Sequence, residues 1–224
     1  MKKFPRAVVA VLLIASPLVA FAATPNVQIT EWMYNGNDAT GEYIEFTNLG
    51  NSAVDFSGWS FDDSSRAAGS VRLSAFGMVA AGQSVILTEA QASDFRAAWG
   101  LTDNVKVIGG NSNNLGRSDE INLYNAGGLL VDRLTYSDQT FAGTVRAQNA
   151  SGNPVTLAEL ASSTVTTGWV LAEAGDRYGS RASTLGDLGN PGQFVLAAVP
   201  EPSGYAMFAA GLLMIGGLAR RQSK

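Results

Sequence analysis

Glu42 and Glu45 stand close enough in the chain to suggest an acid/base pair. Carboxylate-driven hydrolysis needs two carboxyl groups converging across one bond, about 5–10 Å apart. A three-residue spacing on an extended segment sends the two side chains to opposite faces instead. That geometry argues against a shared site, and no catalytic residue is assigned. Asp62-Asp63 and Asp119-Glu120, with Asn111, Asn113 and Asn114, offer side-chain oxygens of the kind Ca²⁺ takes. No EF-hand or nonapeptide calcium spacing is present, and Asp and Asn also satisfy backbone N–H groups in ordinary turns. No metal ligand is assigned either. Trp32, Trp59, Trp99 and Trp169 have the rings to stack on sugars. Trp59 and Trp99 fall in core-facing patterns, which leaves Trp32 and Trp169 as the open pair.

The chain of 224 residues contains no His and no Cys. This excludes Ser-His-Asp triads, Cys nucleophiles, thiolate or imidazole zinc sites and His- or Cys-ligated haem. No cofactor is expected. Residues 23–200 hold nine Lys or Arg against eighteen Asp or Glu, a net charge of −9. Such a surface repels phosphate backbones, so nucleic acid is excluded as a partner.

The elements that must position these groups read as strands. Glycine is abundant at 25 residues and the charged fraction is only 15%, against about 25% in ordinary domains. Val27-Gln28-Ile29-Thr30-Glu31-Trp32 alternates apolar and polar, as does Glu42-Tyr43-Ile44-Glu45-Phe46-Thr47-Asn48. Residues 70–73, 84–88, 104–108, 120–124 and 129–136 are further strands, the last two a hairpin around Asn125-Ala126-Gly127-Gly128. Thr88-Glu89-Ala90-Gln91 has capping-box spacing, which predicts a helix with Thr88 as its N-cap. Phe95, Ala98 and Trp99 share that helix's apolar face and Gly100 stops it. Residues 139–198 carry weaker signals: short strands at 155–157 and 169–171, and a tight loop over 186–192. They read as an extension of the same sandwich.

Both ends read as addresses. Lys2, Lys3 and Arg6 precede an apolar run over residues 7–19, and Ala20-Phe21-Ala22 gives a signal-peptidase pattern. Cleavage after Ala22 is expected. At the other end, Pro200-Glu201-Pro202 precedes an apolar stretch over 204–219, and Arg220, Arg221 and Lys224 follow it. Sixteen helical residues span roughly 24 Å, short for a hydrocarbon core of about 30 Å but compatible with local thinning. The basic end would stay cytoplasmic. This tail resembles the PEP-CTERM sorting signal. The resemblance implies passage through the inner membrane of a Gram-negative-type bacterium, recognition by an exosortase near Pro200, Glu201 and Pro202, and delivery to the cell surface or matrix.

Between the ends, Ile29-Thr30-Glu31-Trp32-Met33-Tyr34-Asn35-Gly36, Gly41-Glu42-Tyr43-Ile44-Glu45-Phe46-Thr47-Asn48 and Val54-Asp55-Phe56-Ser57-Gly58-Trp59-Ser60-Phe61 resemble the lamin-tail domain pattern. The resemblance covers roughly residues 24–138. It implies an all-β, immunoglobulin-like β-sandwich with one short helix and no catalytic residues of its own. The expected function is an exported, non-catalytic binding or structural module, with a polysaccharide or surface protein as partner. The alternative is a carboxylate-dependent, Ca²⁺-assisted extracellular hydrolase, which a cleft holding three or more carboxylates would favour.

Overall fold

The structure, a computed structural model, describes residues 26–37 and 41–195. Fourteen strands, two short α-helices and one 3-10 turn (Ser74–Phe76) follow in chain order among them. They are β1 (Val27–Met33), β2 (Tyr43–Asn48), β3 (Val54–Asp55), β4 (Ser60–Asp62), β5 (Val71–Arg72), β6 (Met78–Val79) and β7 (Ser84–Thr88). Then come α1 (Ala92–Trp99), β8 (Lys106–Ile108), β9 (Ser118–Tyr124), β10 (Leu130–Ser137), β11 (Gly152–Pro154), α2 (Leu157–Leu160), β12 (Trp169–Leu171), β13 (Arg181–Ala182) and β14 (Leu188–Gly189). The described chain is mostly sheet, as the sequence predicts. The large sheet has the order β12-β11-β1-β2-β7-β8 and the small one β10-β9-β4-β5. Two-stranded ribbons, β3/β6 and β13/β14, complete the molecule.

The alternation in the strands sorts their side chains between two cores. Ile29, Trp32, Ile44, Phe46, Val85 and Leu87 leave one face of the large sheet and meet Phe61, Ile121, Leu123, Leu134 and Tyr136 of the small sheet. This is the sandwich core. On the other face, Met33, Tyr43 and Ile86 are covered by Phe95, Ala98 and Trp99 of α1. Tyr43 meets Phe95 and Trp99 edge-on, with centroids at 5.4 and 5.8 Å. Every residue of β2 and β7 is therefore buried. Period-two alternation predicts a solvated polar face here. The second layer closes that face and puts its polar residues inside.

β1 does not alternate without a break. Its register against β2 shifts between Ile29, opposite Phe46, and Glu31, opposite Glu45. Thr30 is the extra residue of a β-bulge. Its hydroxyl donates to Glu45 Oε1 at 2.7 Å, so Thr30 shares the second face with the Glu31–Glu45 pair. The bulge lets Val27, Ile29 and Trp32 all reach the sandwich core although their spacing is not even.

The hairpin of β9 and β10 forms as predicted, with the Asn125 side chain accepting from the Gly127 and Leu129 amides. The helix ends as predicted at Gly100, whose left-handed backbone returns its N–H to the last turn. The start of the helix differs. Its N-cap is Gln91, which gives no side-chain bond. Thr88 remains the last residue of β7, and its hydroxyl donates to the Glu42 carbonyl at 2.7 Å. Strand pairing captures Thr88 before it can cap.

Residues 139–195 close both layers. β11 pairs with β1 at Trp32↔Gly152 and β12 follows it, extending the large sheet. Gly152 admits no side chain, because a Cβ would lie 1.9 Å from the Trp32 ring. The strand predicted at 155–157 falls instead at β11, and Leu157 opens α2, where Thr156 caps the Glu159 amide. The β13/β14 ribbon is tied to α1: Thr184 donates its amide to Ala98 O, and Arg181 its guanidinium to Trp99 O. No helix among the described residues is long and apolar enough to cross a membrane. The predicted span 204–219 lies outside them.

Candidate functional site

The bulge and the second layer create a buried acid pair. Glu31 and Glu45 sit directly opposite each other on β1 and β2, where paired Cβ atoms are about 5 Å apart, and both are fully buried. Glu31 Oε1 accepts from the Tyr43 hydroxyl at 2.7 Å, the Asn190 amide at 2.8 Å and the Ser151 hydroxyl. Glu45 Oε2 accepts from the Gly192 amide at 2.8 Å, and its Oε1 from Thr30 and Thr47. Burial, reinforced by the neighbouring Glu45, pushes Glu31 up to about 8, and burial raises Glu45 as well. Side by side and buried, the two carboxylates repel each other when both are ionised, so the pair retains a proton near neutrality. With neither carboxylate open to a substrate, the arrangement holds structure together.

A second polar centre lies on the outward face of the small sheet. Glu120 of β9 is gripped by Arg66, whose Nε and Nη2 donate to its two oxygens at 2.8 and 2.5 Å. Those bonds hold Glu120 at about 2, well below the usual carboxylate range, against a smaller opposing effect of burial. Arg66 sits in the left-handed region at φ 57°, which few side chains adopt. Its turn is closed by an amide bond to Asp63 O and by Asp62, which accepts from Ser65 Oγ and the Ala67 amide. Beside this pair runs an open groove of about 320 Å³ lined by Ser64, Arg66, Ser118, Thr135, Ser137 and Phe141, among others. A further groove of about 420 Å³ borders β12, where Arg177 lies 4.9 Å over the Tyr178 ring and covers its face.

The candidates read from sequence separate in space. Glu42 and Glu45 do diverge: Glu42 turns to the Leu115 amide and is pushed up to about 8, chiefly by burial. Asp62, Asp63, Asp119 and Asn111 accept bonds from nearby turns, and Glu120 holds Arg66. Among the described residues no group of three or more carboxylates converges on a metal position. The open tryptophan pair is corrected outright. Trp32 and Trp169 are as buried as Trp59 and Trp99, and they pack on each other edge-to-face at 5.4 Å. The bulge turns Trp32 inward and β12 brings Trp169 over it, so neither is free to stack on a sugar. The cleavage residues Ala20 and Ala22, the box Pro200, Glu201 and Pro202, and the basic residues Arg220, Arg221 and Lys224 lie outside the described residues.

The Glu31–Glu45 pair was missed because its register depends on the bulge. Its signal was present: apolar positions 27, 29 and 32 break a strict period of two.

Two facing sheets, with the Glu31–Glu45 pair consumed in internal hydrogen bonds, define an all-β sandwich. The lamin tail domain family model matches residues 20–138, more than half of the chain, and the chain belongs to that family. This is an immunoglobulin-like domain. No curated protein matches the chain.

Proposed function

We propose that this lamin tail domain protein is a non-catalytic binding and structural module exported to the cell envelope or matrix. The observation that carries the binding role is the groove beside Arg66 and Glu120. Its lining sets serine and threonine hydroxyls, with Ser118 and Ser137 bonded to each other and Thr135 to Glu120, beside the carboxylates of Asp119 and Glu120. Arg66 is fixed at its rim by two bonds to Glu120, and Phe141 adds an aromatic surface. An aromatic side chain beside a few polar groups suits a polyhydroxylated ligand such as a polysaccharide. Delivery follows the ends of the chain. Signal peptidase cuts after Ala22, the helix over 204–219 holds the protein in the inner membrane, and an exosortase acts near Pro200, Glu201 and Pro202.

The test is glycan binding by the mature chain. Arg66→Ala should abolish retention on a neutral polysaccharide matrix, and Arg177→Ala, in the other groove, should not. Equal retention of Arg66→Ala and wild type rejects this groove as the ligand site.

A further inference from the structure

We propose that residues 181–192, the β13/β14 ribbon and the turn after it, form a strap whose seat on the large sheet is gated by one proton held by the Glu31–Glu45 pair, so that loss of the proton lifts the strap. The seat is built from both sides. Ser151, Asn190 and Gly192 donate to the two carboxylates across 120, 159 and 147 residues of chain. Gly189 of the strap packs so close that a Cβ would meet Tyr43 Oη at 2.4 Å and Glu31 Oε1 at 3.1 Å. Glu31 Oε2 is buried with no hydrogen-bond partner, a position at which the retained proton leaves no amide donor displaced.

Among the described residues no cation compensates the pair. β2 adds only Tyr43 beside Glu45 itself, and burial keeps Tyr43 protonated. β7 adds the hydroxyls of Ser84 and Thr88. On α1, Asp94 bonds Ser93 while Arg96 bonds Val105 O. On the strap, Arg181 is bound to Trp99 O and Asp187 to the Asn37 amide. Ahead of the strap, Asp176 accepts from the Tyr178 amide and Arg177 donates to Val155 O, Glu159 belongs to α2, and Glu173 is exposed. A second ionisation would therefore place two like charges side by side in the interior. Water can relieve them by one path of least loss. β1 and β2 are each paired on both sides within the sheet, whereas the strap near the carboxylates is a two-residue ribbon and a turn. The strap yields first.

Amide hydrogen exchange on the mature chain tests this, read as protection factors corrected for intrinsic rates. Protection of the Asn190 and Gly192 amides should fall at least about tenfold between about pH 6 and pH 9.5, while that of Leu123 in the small sheet holds. Glu31→Gln should abolish the fall, since the amide cannot ionise. Glu42→Gln should leave it intact, because Glu42 is also pushed up to about 8 but touches Leu115 and not the strap. If Glu31→Gln fails to fold, Glu45→Gln and the wild-type profile decide. Constant protection in wild type overturns the proposal, as does a fall that persists in both glutamine variants or vanishes in Glu42→Gln.

Discussion

Trp169→Ala tests whether residues 139–195 share one cooperative unit with the family domain. Trp169 is 2% exposed, stands edge-on to Trp32, and donates its indole N–H to Glu159 O at 3.2 Å. A buried tryptophan removes about 200 Å² from water, roughly 5 kcal/mol at about 25 cal/mol per Å². Loss of the indole bond adds about 1 kcal/mol to that cost, while the retained Cβ and partial collapse of the cavity return about 2 kcal/mol, so a net loss of ~4 kcal/mol is expected. At about 3 °C per kcal/mol for a domain of this size, the melting temperature should drop by roughly 12 °C. The assay is urea and thermal unfolding followed by far-UV circular dichroism and by exchange of the β1 and β2 amides. Both probes should shift together. A variant that melts residues 139–195 early and leaves β1, β2, β9 and β10 with their original midpoint would refute the reasoning. Leu157→Ala, at a position 64% exposed, should move neither probe measurably.

Stability should fall as pH rises from about 4.5 to about 8. Over that window folded Glu31 and Glu42 keep protons that the unfolded chain has released, so rising pH favours the unfolded chain. Urea midpoints that climb toward alkaline pH would contradict it. Glu120 acts in the opposite sense: its contribution is present above about 4.5 and fades as pH falls through about 2, so Glu120→Gln should flatten the acid limb alone. Gly189→Ala should destabilise by about 1–3 kcal/mol through overpacking on Tyr43, whereas Gly127→Ala in the hairpin turn should be nearly neutral in denaturant titrations. Alanine at Pro200, Glu201 and Pro202 should leave an uncut, membrane-held chain in a host with an exosortase; release equal to wild type removes the sorting reading.

Local chemistry was legible and long-range pairing was not. The β9–β10 hairpin is written in Asn125-Ala126-Gly127-Gly128, and the end of α1 in Gly100, because a few adjacent residues decide each. Thr88 shows the limit of that logic, since its cap spacing lost to a strand partner on β2. Glu31 and Glu45 each appear in the family pattern, yet nothing nearby announces that they face each other. Their donors Ser151, Asn190 and Gly192 lie in the segment with the weakest signals. The same distance hid the inward turn of Trp32, whose neighbours Gly152 and Trp169 arrive late in the chain.

That late arrival has a consequence for how the chain is made. β1 is the first of the described strands to be synthesised and stands in the interior of the large sheet, between β2 and β11. Its second partner, Gly152, follows Trp32 by 120 residues, as Ser151 follows Glu31. At about 5–20 residues per second β1 waits roughly ten seconds with one edge open. During that wait Glu31 and Glu45 lie uncovered by the strap and carry their charges in water. Inward-pointing charge is a device that keeps open strands from pairing with the wrong chain. The same two carboxylates that end as a protonated interior pair begin as a guard on an unfinished sheet, and refolding of Glu31→Gln should aggregate at lower protein concentration than wild type at neutral pH.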